Sequence, residues 1–452
     1  MPMSTSFAQR LLPHVHSIAQ EFGTPFHVYD ELGIVESGQE FNAAFSGIDG
    51  FREFYAVKAL PNLRILEILR NELGFGFDCS STTELTMARR LGASGKDIMF
   101  TSNNTSPDEY EQSLDHGGCI LNLDDLTFVR KLPRMPELIC FRYNPGTSNF
   151  GNSIIGAPRS AKFGLRHDQM IAAYTEARAR GAQRFGLHAM VVSNERRHRR
   201  MAAILQMLLE VCGEITAATD IRFEFVNVGG GIAIPYRPGE RPFELQAFAD
   251  LAIQLLDAFE REHGYRPKMY MECGRLITGP HGVLVTRVLN VMSKYRSYVG
   301  VDASMSDLMR PGMYKSAYNH ITVVDRAGQE LRGPLGAVDV VGSLCENLDK
   351  FATDILLPPV KENDYVVMHD TGAHGHSMGF QYNGRLRPQE LLLRRDGSVE
   401  LIRRSETVDD YLRTQLDFES RRFTPAGGSQ RSRSIVAAPT ESTTSGSNSR
   451  SS

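Results

Sequence analysis

Three short stretches carry side chains suited to covalent chemistry on an amino acid. In FYAVKALPN, residues 54–62, Lys58 closes an aromatic, apolar run just before Pro61. An amine held among apolar neighbours is desolvated, which lowers its pKa and suits it to react with a carbonyl. In NVGGGIAIPY, residues 227–236, Gly229, Gly230 and Gly231 follow a strand-like run, and amides with no Cβ beside them can wrap a phosphate. In MECGR, residues 271–275, Glu272 can face a pyridine nitrogen and Arg275 a phosphate or a carboxylate. Each alone has a plainer explanation: a lysine reaching out from a strand end, a tight bend, a surface ion pair. Together, a lysine, a glycine run and a carboxylate describe a site for pyridoxal 5'-phosphate.

Such groups lie far apart in sequence, so the fold must gather strand ends. Strand-like runs at 24–30, 51–60, 74–81, 97–103, 119–123, 138–146, 185–193, 223–231 and 268–275 alternate with helical or loop segments, among them 62–73 and 82–92. Roughly eight strand-and-helix units over about 250 residues is the size of a (β/α)8 barrel, whose reactive side chains come from the C-terminal ends of its strands. An open doubly wound sheet is the rival. After residue 280 the strand-like runs are broken by Gly, Asp and Asn, which predicts a second, all-β domain. The expected organisation is a (β/α)8 barrel over 31–280, an all-β domain over 281–423 and a disordered Ser- and Gly-rich tail over 424–452.

Composition narrows the function. A chain of 452 residues exceeds the size at which one core stops growing, so two domains are expected. A formal charge of −3 gives no pull towards nucleic acid or an anionic membrane, and neither is expected as a partner. The 6 cysteines are scattered without a metal-ligand spacing, so neither a zinc site nor a disulfide framework is expected. With no signal-like start and no run of ~20 apolar residues, the expected location is cytoplasmic.

The ordered set FYAVKA, GFDCSSTTEL, AKFGL, NVGGGIAIPY, ECGR, VDASMSDLMRPGMY, VVGSLCENLDKFA and GAHGHSMGFQYNGRLRPQELLL resembles the fold type III, alanine-racemase-like pyridoxal phosphate decarboxylases, diaminopimelate decarboxylase group. The resemblance spans about residues 20–415. It implies a TIM-like barrel that holds the cofactor and a β-barrel domain to which residues 1–30 also contribute. It implies a homodimer in which each site is completed by Cys345 and Glu346 of the neighbouring chain. Lys58 matches the Schiff-base lysine, Asp78 the acid near it, and Ser193 with Gly229–Gly231 the phosphate-binding positions. Glu272 matches the pyridine partner, Arg275 the arginine near phosphate and substrate, and Arg310 and Tyr314 substrate-binding positions. Cys345 matches the proton donor and Glu346 a substrate contact.

Three positions depart from that pattern. Met190 stands where many relatives stack a histidine on the cofactor, and a thioether can still pack on a ring face. His374 stands where many have a tyrosine near phosphate and substrate, which predicts titration around neutral pH. Cys273 replaces a common proline. The implied reaction is decarboxylation of meso-2,6-diaminopimelate to L-lysine, since Arg310 suits a distal carboxylate or zwitterion. Ornithine, lysine, arginine or a modified diamino acid is the alternative substrate, and a non-catalytic regulatory homologue is the alternative of another class.

Overall fold

The structure is a computed structural model that describes residues 2–146 and 157–416. It opens with two helices, Thr5–Leu11 (α1) and Val15–Phe22 (α2). In sequence this start reads as short and polar, and Pro13 lies between the two helices. Yet Phe7, Leu11, Val15 and Ile18 recur at helical spacing, and all four are buried in a core with Phe26, Val283, Val285 and Leu391. Strand β1 (Phe26–Asp30) follows and is buried along its whole length. Asp30 then caps α3 (Glu31–Phe45), its side chain accepting from the Leu32 N–H.

Eight parallel strands close into a barrel: β2 (Arg52–Ala56), β3 (Gly76–Cys79), β4 (Gly95–Phe100), β5 (Cys119–Leu123), β6 (Leu138–Arg142), β7 (Arg184–His188), β8 (Phe225–Asn227) and β9 (Lys268–Met271). The seam pairs β2 with β9, Glu53 lying opposite Met271. Helices α4 (Leu63–Leu73), α5 (Thr82–Arg90), α6 (Pro107–Leu114), α7 (His167–Ala179), α8 (His198–Thr219) and α9 (Leu245–His263) connect the strands, and a 3-10 turn, Leu126–Lys131, bridges β5 to β6. Because α3 packs against both α4 and α9, it completes the outer ring. Phe54, Met99, Ile120, Cys140, Phe225 and Tyr270 fill the interior, the last two rings stacked at 4.3 Å. The barrel is therefore a packed core with its strand ends exposed at one mouth.

After the short helix α10 (Arg275–Thr278) the chain builds a mixed sheet from β10 (Gly282–Ser293), β11 (Ser297–Val301), β12 (Ile321–Val324), β13 (Gly336–Val341), β14 (Lys350–Leu357), β15 (Tyr365–Met368), β16 (Gln389–Leu393) and β17 (Val399–Arg403), with helix α11 (Arg310–Met313) between β11 and β12. β1 joins this sheet, antiparallel to β10 and parallel to β16, giving nine strands. The α/β barrel and the sheet-built region are the expected fold class. A further unit begins at Val408 with α12 (Val408–Leu412). The expected tail, 424–452, lies outside the described residues.

Candidate active site

Lys58 sits in a 3-10 turn, Val57–Ala59, directly beyond β2. The β2–β3 register sets Ala56 opposite Asp78, so Asp78 rises beside that turn and its Oδ2 accepts from Lys58 Nζ at 2.8 Å. Desolvation does pull the Lys58 pKa down, as the sequence predicts, but the charges of Asp78 and Glu272 outweigh it and the net shift is upward. Asp78 is buried; burial and Glu272 push its pKa up against the pull of Lys58. Its Oδ1 has no hydrogen-bond partner.

Glu272 follows β9 and is clamped from the ends of β8, its neighbour, and β7, the next strand round the barrel. His188 Nε2, at the end of β7, lies 3.1 Å from Oε2, and Asn227 Nδ2, at the end of β8, donates to Oε1 at 2.8 Å. Burial drives its pKa up, but the attraction of His188 and its hydrogen bond, with Lys58 and Arg142 behind them, bring it below the ordinary carboxylate value. The site thus holds a buried, ionised carboxylate.

Asn227 also accepts the Gly229 N–H at 2.9 Å, starting the glycine turn. Gly229 and Gly231 have φ of +67° and +92°, in the region side chains disfavour. A Cβ on Gly230 would stand 2.1 Å from the Glu272 carbonyl oxygen, so only glycine lets this loop lie against the β9 end. The Met190 sulfur packs where a Gly229 Cβ would go, and Ser193 lines the same cavity.

Two buried arginines meet beside the site. Arg275, at the start of α10, donates to the Tyr236 hydroxyl, and Arg310, at the start of α11, reaches the same hydroxyl at 3.3 Å. Tyr314 follows α11 and its amide donates to the Arg310 carbonyl at 3.0 Å. His374 is anchored by its amide to the Ala59 carbonyl at 2.8 Å. Burial, then Arg275, Arg310 and Lys58, depress its pKa well below 6.5, so the expected titration around neutral pH does not occur. Lys58, Asp78, Glu272, Arg275 and His374 line a cavity of about 600 Å3.

The structure gathers Lys58, Asp78, Met190, Ser193, Gly230, Gly231, Glu272, Arg275 and His374 around this cavity, with Gly229 behind it. Arg310 joins through Tyr236, and Tyr314 through Arg310. Cys345 and Glu346 are exposed on the β13–β14 loop and do not line the cavity of their own chain. The Cys345 amide donates to Asn383 Oδ1 at 2.8 Å, which fixes the loop backbone. Sequence reading gave no role to His188, Asn227, Tyr236 or Arg142, the last paired with Asp124 at 3.4 Å. Three of the four end barrel strands, which is the signal that could have found them.

The donor set fits pyridoxal phosphate: an amine at the mouth, a side-chain-free glycine turn, an ionised carboxylate and an unpartnered Asp78 oxygen. Residues 33–279 match the family described as "Pyridoxal-dependent decarboxylase, pyridoxal binding domain". The chain is 47% identical to Protein TabA of Pseudomonas amygdali pv. tabaci, covering 91% of this chain and 96% of the relative. It is 38% identical to the diaminopimelate decarboxylase of Methanothermobacter thermautotrophicus, covering 88% and 93%. Among solved structures, the diaminopimelate decarboxylase from M. jannaschii in co-complex with L-lysine superimposes with a TM-score of 0.81 at 28% identity, covering 89% of this chain and 94% of that one.

Proposed function

The chain belongs to the pyridoxal-dependent decarboxylases, carboxy-lyases that use pyridoxal phosphate, and from that premise we propose that it converts meso-2,6-diaminopimelate to L-lysine and carbon dioxide. The observation that carries this choice is the buried pair Arg275 and Arg310 on one tyrosine hydroxyl. A substrate with a carboxylate at its distal end needs a cation there, whereas a plain diamine end needs acids.

In this reading Lys58 would be the attachment point for pyridoxal phosphate, and Asp78 would hold its amine in place. Ser193 and the Gly229–Gly231 turn hold the phosphate. Glu272, kept ionised by His188 and Asn227, would hold a proton at the pyridine nitrogen, and Met190 would pack on the ring. Bound pyridoxal phosphate supplies the electron sink for the pair left behind when the bond to the departing carboxylate breaks. Arg275, Arg310 and Tyr314 orient the remaining carboxylate. The partner subunit's Cys345 then gives a proton to the α-carbon, and the partner subunit's Glu346 contacts the substrate amine. The exposure of Cys345 and Glu346, away from their own cavity, supports a homodimer with shared sites.

A second reading, decarboxylation of ornithine, lysine, arginine or a modified diamino acid, has one observation in its favour: Protein TabA is more similar to this chain than the named diaminopimelate decarboxylase is. A non-catalytic regulator is disfavoured by the intact Lys58–Asp78 pair. The test is to incubate the holoenzyme with a panel of diamino acids, measuring carbon dioxide and identifying the amine product. Release from meso-diaminopimelate with L-lysine as product is expected. Release from ornithine alone would overturn the substrate and keep the reaction class.

A further inference from the structure

Directly behind the site lies a buried carboxyl that none of the roles above uses. Glu53 is 3% exposed and stands on β2, where Phe54 points into the barrel interior, so strand alternation sends Glu53 to the outer face. The β2–β9 ladder ends at the pair Glu53–Met271. Beyond it, Glu272 donates its amide to the Gly229 carbonyl on the β8 side at 3.0 Å, and the next amide, that of Cys273, turns towards β2. Its acceptor there is the side chain of Glu53, through Oε1. A carboxyl has taken the place of a strand carbonyl and extended the ladder by one bond.

The bond falls at a sensitive point. Cys273 separates Glu272 from the turn that launches α10 and Arg275. That turn is tight: a Cβ on Gly274 would stand 2.5 Å from the Ala59 Cβ, next to Lys58. Fixing the Cys273 amide therefore fixes Glu272 on one side and Arg275 on the other. A proline at this position has no N–H and would need no acceptor. With cysteine there, a buried donor must be satisfied, and leaving it unpaired carries a desolvation penalty. Burial pushes the Glu53 pKa well above 4.5 against the pull of the Cys273 amide, and Glu272 and Asp78 reinforce the rise.

We propose that Glu53 is a positioning residue which, by accepting the Cys273 amide, sets the Glu272–Arg275 turn for the cofactor; the inference rests on the roles given above to Glu272 and Arg275. It is tested with Glu53→Ala, Glu53→Gln, Cys273→Pro and the double variant Glu53→Ala/Cys273→Pro. For each, pyridoxal phosphate is titrated into the apoprotein, the visible band of the bound cofactor is recorded, and the apoprotein Tm is measured. Glu53→Ala is expected to weaken cofactor binding about tenfold and to shift the band, the loss of one buried hydrogen bond. Glu53→Gln, which keeps a side-chain acceptor for the Cys273 amide, should bind within about twofold of the parent. Adding Cys273→Pro to Glu53→Ala should recover most of the affinity, because the orphaned donor is gone. A Glu53→Ala variant with lowered Tm but unchanged affinity and band overturns the proposal, as does a double variant no better than Glu53→Ala alone. Failure of the underlying reading shows separately: Glu272→Ala would then leave the cofactor band and affinity unchanged.

Discussion

The guanidinium groups of Arg275 and Arg310 meet at one hydroxyl, that of Tyr236. Two cations this close repel. Burial lowers the Arg310 pKa, Arg275 lowers it further, and Tyr236 and Tyr314 work against both. The hydroxyl is thus the spacer that keeps two positive groups aimed at the same space. Tyr236→Phe removes the shared acceptor and keeps the ring. KM for the substrate is expected to rise about tenfold, the equivalent of one charge-assisted hydrogen bond, with kcat falling less. Steady-state kinetics check this; an unchanged KM would mean the two arginines do not act on substrate together.

His374 should be silent in pH profiles. Its neighbours Arg275, Arg310 and Lys58, together with burial, keep the imidazole neutral well below pH 6.5. The kcat/KM profile between about pH 6 and 8 should therefore have the same shape in the parent and in His374→Tyr. A step present in the parent and lost in the variant would contradict the structure.

Glu390 governs acid stability. From β16 it accepts the Tyr29 hydroxyl at 2.6 Å, the Asn62 amide at 2.9 Å, and Arg403. Asn62 in turn caps α4, the helix that follows the Lys58 turn. Burial raises the Glu390 pKa, but His376, Arg403 and the hydrogen bonds reverse this and bring it from 4.5 to about 2. A carboxylate with a depressed pKa stabilises the fold fully above its ordinary value, and the contribution fades as pH falls through 4.5 towards about 2. Tm should fall steeply over that window. Glu390→Gln should flatten the decline and lower stability at neutral pH by on the order of 3 kcal/mol. Differential scanning fluorimetry across pH reads both effects.

If sites are shared between subunits, two inactive variants should rescue each other. Lys58→Ala and Cys345→Ala, mixed after dissociation, are expected to regain about a quarter of the parental rate, since half the dimers then carry one intact site. No recovery from mixing, with heterodimers demonstrated by mass, would place proton delivery within one chain.

The parts of the site readable in the sequence were those with a local signature. Lys58 after an apolar run, three consecutive glycines, and a carboxylate two residues before Gly274 all stand out within a few positions. The strand count followed from the alternation of short apolar runs with helical ones, and that pattern gave the barrel. What was not legible depends on register. The Lys58 pKa rises because strand pairing puts Asp78 beside its amine, a neighbour 20 residues away. His188 and Asn227 matter because the barrel order brings β7 and β8 round to the β9 side, and no local pattern says so. The opening stretch reads as short and polar, although Phe7, Leu11, Val15 and Ile18 keep helical spacing on either side of Pro13 and bury together.

The position of β1 has a consequence for how the chain is made. It is among the first strands to be synthesised, yet one of its two partners, β16, is among the last. Until residues 389–393 leave the ribosome, one edge of a strand carrying Phe26, Val28 and Tyr29 has no hydrogen-bonding neighbour. The whole barrel is translated in that interval. A nascent chain arrested between β9 and β16 therefore holds an enclosed barrel beside an unfinished sheet, the stage at which a chaperone that recognises exposed apolar strands has the most to bind.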